Sequence, residues 1–182
     1  MQAVKIVITG AYAAGKTSFI RTISDIEIVS TEHEVTDALE RQLKTETTVA
    51  LDFGTIAIND EVTLYLFGTP GQERFDFMWD VLSVGCIGYI VLVDSCRPSH
   101  LAETQRLMAH FAQITSTPCV VAANKQDDPT ALPLGYIRRR LQLPLEIPIV
   151  ACVATDKESV KHVLMTLLDK IEHQITLPHP QE

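Results

Sequence analysis

The chain has 182 residues, with 15 Lys and Arg against 23 Asp and Glu for a net charge of −8, and 46% of its residues are apolar. That length and apolar share predict one folded domain with a substantial core and exclude a disordered or low-complexity chain. The acidity excludes a general nucleic-acid binder, which needs clustered cations against phosphates; the one basic run, Arg138 to Arg140, reads as a solvated surface or a docking patch.

In chain order, short β-branched apolar runs alternate with longer segments of helical period. Strands are predicted over 4–9, 49–58, 62–67, 87–93, 119–123 and 148–152, and helices over 15–24, 73–84, 100–114, 134–141 and 157–174. Helix 157–174 is the clearest, because Val160, Val163, Leu164, Leu167, Leu168 and Ile171 fall on one stripe. Four of the strands are near-continuous apolar runs, as in a sheet covered on both faces. The second and third strands flank Asn59-Asp60, a two-residue hairpin signal that pairs them antiparallel with Asp52 opposite Phe67. The expected fold is α/β: a six-stranded mixed sheet, five strands parallel and one antiparallel, with helices on both faces. Its domain covers 1–176, with a short polar tail at 177–182.

The segment 27–47 holds Glu32, Glu34, Asp37, Glu40 and Glu46, has weak periodicity and is long for a connection, which marks a functional or mobile loop. Cys86, Cys96, Cys119 and Cys152 are scattered singly through apolar runs, so reduced core thiols are expected rather than a disulfide framework or a zinc site. No run approaches the length of a membrane span and the start does not read as a signal peptide, so a soluble, cytoplasmic protein is expected. Gln2 in place of a myristoylated Gly, and an end at His179-Pro180-Gln181-Glu182, leave no expected lipid anchor.

Two stretches carry chemistry. Gly10-Ala11-Tyr12-Ala13-Ala14-Gly15-Lys16-Thr17 fits G-x-x-x-x-G-K-[ST] between a predicted strand and a predicted helix, with Ser18 following. Such a turn cradles phosphate with backbone N–H groups and a helix dipole; Lys16 bridges β- and γ-phosphates and Thr17 offers a hydroxyl to Mg²⁺. At the end of the fifth strand, Asn124-Lys125-Gln126-Asp127 places a carboxylate that can accept two parallel hydrogen bonds from guanine N1–H and N2–H₂, a donor pair adenine lacks. Asn124 would tie this loop to the cradle, and the Lys125 stem would lie along the purine. After the sixth strand, the N–H of Ala154, followed by Thr155, is placed to reach guanine O6.

GAYAAGKT, TTVALDF, GTPGQERF, NKQD and CVATD, in this order, resemble the five nucleotide motifs of Ras-like small GTPases. Within them, GTPGQERF with Gly68 in place of the family's Asp, together with VATDKESV, looks most similar to the prokaryotic MglA-type, Roadblock-associated branch. The resemblance implies that Thr48 binds Mg²⁺ and helps hold the attacking water, that the Gly71 N–H senses the γ-phosphate, and that Gln72 orients the water for in-line attack. It implies the P-loop NTPase G-domain form of the α/β fold and a switch binding GTP, GDP and Mg²⁺, with slow hydrolysis and with protein regulators and effectors, among them a Roadblock/LC7-type partner. A non-hydrolysing nucleotide-binding adaptor, and a P-loop ATPase or kinase, stay open as alternatives.

Three departures qualify that resemblance. Gly68 cannot bond metal-bound water, and Asp52, across the hairpin, reads either as its substitute through an intervening water or as a hairpin carboxylate facing solvent. Tyr12 stands where rapidly hydrolysing relatives have Gly, in the space Gln72 and an incoming arginine finger would use. Lys16 to Thr48 spans 32 positions, longer than the family's usual first switch, so 38–43 is expected to add structure, with Arg41 and Lys44 read as a solvated face or, alternatively, as a candidate internal cationic finger.

Overall fold

The computed structural model describes residues 2–30, 51–71 and 77–176. Its strands are β1 (Gln2–Gly10), β2 (Val29–Ser30), β3 (Asp52–Ala57), β4 (Val62–Gly68), β5 (Cys86–Asp94), β6 (Cys119–Asn124) and β7 (Ile149–Ala151). The helices are α1 (Lys16–Ile23), α2 (Phe77–Ser83), α3 (Leu101–Ile114), α4 (Leu134–Leu141) and α5 (Lys157–Thr176). They form one sheet in the order β2-β3-β4-β1-β5-β6-β7, in which β1 runs parallel to β4 and β5 and only β3 opposes the others. All six expected strands are present. The sheet gains a two-residue seventh, β2, at its edge, too short to leave a periodic signal and lying in the segment read as a loop.

Alternation along the central strands feeds two cores. Ile6 and Ile8 of β1 face one side with Phe19, Ile20, Leu66 and Leu167, and Val7 faces the other with Trp79, Leu107 and Phe111. The helices cover these faces because their apolar residues recur at three- and four-residue steps, as in Val160, Val163, Leu164, Leu167 and Ile171 of α5. Among the apolar residues that follow Gln72 in the sequence, Trp79 and Met78 join the second core while Phe77 is exposed; Phe75 lies outside the described residues. Cys86, Cys119 and Cys152 are buried and Cys96 is half-buried.

The hairpin corrects one expectation. Asp52 pairs with Gly68, and Phe53 with Phe67, one residue away from the register read from a two-residue turn. The cause is Asn59, whose Oδ1 accepts the N–H groups of Glu61 (2.9 Å) and Val62 (2.8 Å). With the Ile58 N–H donating to the Val62 carbonyl at 3.0 Å, the loop has three residues rather than two, which shifts the pairing by one.

The outer rim of β3 is closed by the turn after α1. The Asp25 N–H donates to the Thr55 carbonyl (2.8 Å), the Thr55 N–H to Ser24 Oγ (3.2 Å) and the Ala57 N–H to Asp25 Oδ2 (2.7 Å). The basic run also needs correction as a purely solvated surface. Arg138 donates to the carbonyls of Pro144 (2.8 Å) and Ile147 (2.9 Å), latching the loop that follows α4, while Arg139 and Arg140 are exposed. Among the described residues no helix is long and apolar enough to cross a membrane. The acidic stretch around 38–43, Arg41, Lys44 and the tail 177–182 lie outside the described residues.

Candidate functional site

The loops that carry the motifs leave the carboxyl ends of β1, β4, β6 and β7, and β1 is the strand from which the chain departs to both sides of the sheet. That is the switch point where open α/β sheets form a crevice. A cavity of about 280 Å³ opens there, walled by Tyr12, Lys16, Thr17, Asp52, Pro70 and Gly71, with Ala13, Gly15 and Ser18 also on its surface.

The glycines of the cradle are dictated by geometry. Gly10 (φ 145°) lies so close to β5 that a Cβ would fall 2.3 Å from the Leu92 carbonyl oxygen, and Gly15 (φ 102°) faces the Asn124 amide at the same separation. Gly15 starts α1 without a capping side chain, and the first turn carries no acidic residue, so its N–H groups and the helix dipole are left to an anion. Buried Lys16 donates from Nζ to the carbonyls of Gly10 (2.8 Å) and Ala11 (2.9 Å), which fixes its ammonium at the cavity floor. Gly71 closes the far wall: a Cβ there would lie 2.8 Å from both Lys16 Nζ and Tyr12 Cα. The loop after β4 is further held by a buried Thr9–Thr69 hydroxyl pair at 2.9 Å.

Asn124 joins the base loop to this cradle. Its Nδ2 donates to the Ala14 carbonyl (2.8 Å) and its Oδ1 accepts the Ala154 N–H (2.8 Å), so three loops meet on one buried side chain. The second bond corrects a reading: the Ala154 N–H is already given to Asn124 rather than presented to a base. Thr155, beside it, is exposed. Lys125 sits at φ 64° and its Nζ reaches buried Asp94 Oδ2 at 2.6 Å, which pins the ammonium and leaves the stem along the loop. Two adjacent carboxylates follow, and they differ. Asp128 accepts the N–H (2.8 Å) and hydroxyl (2.6 Å) of Thr130, bonds that hold its carboxyl below the usual carboxylate range. Asp127 is exposed and bonds no described residue, which leaves it for a ligand.

At the other end of the cavity, the Thr17 hydroxyl donates to Asp52 Oδ2 at 2.5 Å. Hydroxyl and carboxylate oxygens are the donor class Mg²⁺ requires, so this pair fits a divalent cation shared with phosphate. The structure thus brings together Gly10, Tyr12, Ala13, Ala14, Gly15, Lys16, Thr17, Ser18 and Gly71 at one end, and Asn124, Lys125, Asp127, Ala154 and Thr155 at the other. Thr48 and Gln72 lie outside the described residues. The sequence reading missed Asp94, whose one available signal is a carboxylate closing an otherwise apolar strand.

A family model described as a conserved hypothetical ATP binding protein matches residues 22–133, beginning after the cradle. Human ADP-ribosylation factor-like protein 4C is 30% identical over 150 residues, covering 81% of this chain and 73% of its own length. Human ADP-ribosylation factor-related protein 1 is 30% identical over 136 residues, 73% of this chain and 64% of that protein. An uncharacterized protein of Methanocaldococcus jannaschii is 31% identical over 94 residues, about half of each chain.

Proposed function

The chain belongs to the small GTPases of the Ras superfamily, with the ADP-ribosylation factor-like proteins, and to the family described as conserved hypothetical ATP binding proteins; from that premise we propose that it is a guanine-nucleotide switch. It binds GTP and GDP with Mg²⁺, hydrolyses GTP slowly, and presents surfaces to protein partners that change with the nucleotide. The observation that carries this reading is Asn124, which makes the phosphate cradle and the base loop one rigid unit while Asp127 stays unengaged beside it. A nucleotide held at both ends by such a unit is recognised by its base as well as its charge, and an unpaired Asp127 would disfavour adenine.

In hydrolysis, Lys16 and the first-turn N–H groups of α1 hold the β- and γ-phosphates, while Gln72 and the Thr48 carbonyl orient a water toward the γ-phosphorus. The water's oxygen bonds phosphorus as the bond to the bridging oxygen breaks, that oxygen and its electron pair leave with GDP, and the water's two protons depart on the phosphate as H₂PO₄⁻. Mg²⁺, held by Thr17 and Thr48 when bound, would neutralise charge on the phosphates. Tyr12, 57% exposed at the mouth of the cavity, occupies the approach to this centre, which supports slow unaided turnover. Gly68 within GTPGQERF supports the MglA-type branch, and with it a Roadblock-type regulator acting in the cytoplasm on a G domain of 1–176 with a short tail at 177–182.

One competition experiment tests the base. Protein loaded with fluorescent GDP in Mg²⁺ buffer is challenged with unlabelled GTP, GDP, ATP and ADP. The guanine nucleotides displace the label at concentrations at least about 100-fold below the adenine ones, the discrimination of about 3 kcal/mol that an unpaired carboxylate imposes. Displacement by ATP at the concentration of GTP would instead favour the ATPase reading that the family's description carries.

A further inference from the structure

We propose that Asp52 supplies the metal-site carboxylate that Gly68 lacks, the group having moved from one strand of the β3–β4 ladder to its direct partner on the other. This rests on the nucleotide-binding reading above and deepens it. Asp52 and Gly68 are paired residues in the antiparallel ladder, so their side-chain positions share one face of the sheet. A Cβ added at Gly68 would lie 3.0 Å from Asp52 Cβ and 3.0 Å from Ile20 Cδ1, with Asp52 Oδ2 at 3.5 Å. Asp52 and the hydrophobic wall therefore bound the volume that a residue-68 side chain would enter. One ladder rung holds one carboxylate, and here it is carried by β3.

The carboxylate also has the right neighbours. Asp52 is 9% exposed and lines the cavity, and among the described residues its oxygens take one hydrogen bond, from the Thr17 hydroxyl. A buried anion bonded to a neutral hydroxyl calls for a compensating cation. Because Thr17 spends its proton on Asp52, the hydroxyl's lone pairs remain for a hard cation, and the carboxylate both orients that hydroxyl and raises its basicity. Asp52 would thereby act on a bound cation through Thr17. It is a positioning residue for the metal.

The test follows Mg²⁺ rather than turnover. Release of fluorescent GDP from the full chain is measured over a Mg²⁺ titration and in EDTA, for wild type, Asp52→Asn and the exchanged pair Asp52→Gly with Gly68→Asp. Asp52→Asn keeps the side-chain shape, and the Mg²⁺ concentration that half-maximally slows release rises about 10–100-fold while release in EDTA is unchanged. The exchanged pair restores the wild-type midpoint to within about threefold, because the carboxylate returns to the same rung from the other strand. Gly68→Asp alone weakens nucleotide retention in both conditions, since two side chains cannot share the space. An unaltered Mg²⁺ midpoint in Asp52→Asn overturns this assignment and leaves the nucleotide reading standing. So does an exchanged pair with wild-type circular dichroism and no recovery. Wild-type protein that retains no labelled GDP in either condition overturns both.

Discussion

Tyr12 makes the cradle unusual at the scale of one residue, because a solvated aromatic ring stands at a turn where the phosphate chemistry asks for open space. Replacing it with glycine removes the ring without touching Gly10, Gly15 or Lys16, whose positions are set by the Leu92 backbone, the Asn124 side-chain amide and the Gly10 and Ala11 carbonyls. Single-turnover GTP hydrolysis of Tyr12→Gly rises about tenfold or more, about 1.4 kcal/mol of barrier, with GDP affinity unchanged within about threefold. Turnover equal to wild type removes the steric account. The residues most legible in the sequence were those with one geometric solution. A Cβ at Gly10 or Gly15 collides with backbone or amide, so the spacing of the motif is itself a structural record. Less legible were partners made by tertiary approach. Asp94 meets Lys125 across two neighbouring strands, and the Ala154 N–H is captured by Asn124, 30 positions earlier, neither of which any local pattern encodes.

Among the elements, α4 and its following loop depend on Arg138. Its guanidinium serves the Pro144 and Ile147 carbonyls at once, and the Gln142 residue that ends the helix sits at φ 54° with its N–H on the helix's last carbonyls. Arg138→Ala lowers unfolding free energy by about 1–2 kcal/mol, Arg138→Lys fails to restore it because an ammonium lacks the planar fork, and Arg139→Ala changes it by less than about 0.5 kcal/mol. Urea midpoints measure all three, and nucleotide affinity stays at the wild-type value throughout. An Arg138→Ala midpoint equal to that of Arg139→Ala would dismiss the latch. Element types were readable because period and composition agree in each segment, as in the α5 stripe. The hairpin register was not, since Asn59 builds a three-residue loop from a sequence that reads equally well as two.

For the molecule as a whole, burial of thiols across both cores fixes a response to alkali. Burial pushes Cys119 up to about 12 and Cys152 up to about 11, and raises Tyr89 as well, from ordinary values of 9.0 for the thiols and 10.0 for the phenol. The fold therefore keeps protons that the unfolded chain sheds above about pH 9, so stability is intact below that pH and falls as pH climbs toward 11 and 12. Urea midpoints between pH 8 and 11 decline, and the Cys119→Ala, Cys152→Ala double variant declines less steeply; equal slopes would assign the loss to other groups. The layered architecture was visible in the alternation of apolar runs and helical segments, whereas the closure of the sheet's rim was not, because Ser24 and Asp25 act there through three bonds to residues some 30 positions away. That closure carries a consequence for assembly. A second polypeptide cannot extend the sheet along 55–57 without first dislodging the turn that ends α1, whose opposite end holds the phosphate cradle. Strand addition at this margin would thus compete with ligand retention, and association of copies through it would be antagonised by nucleotide.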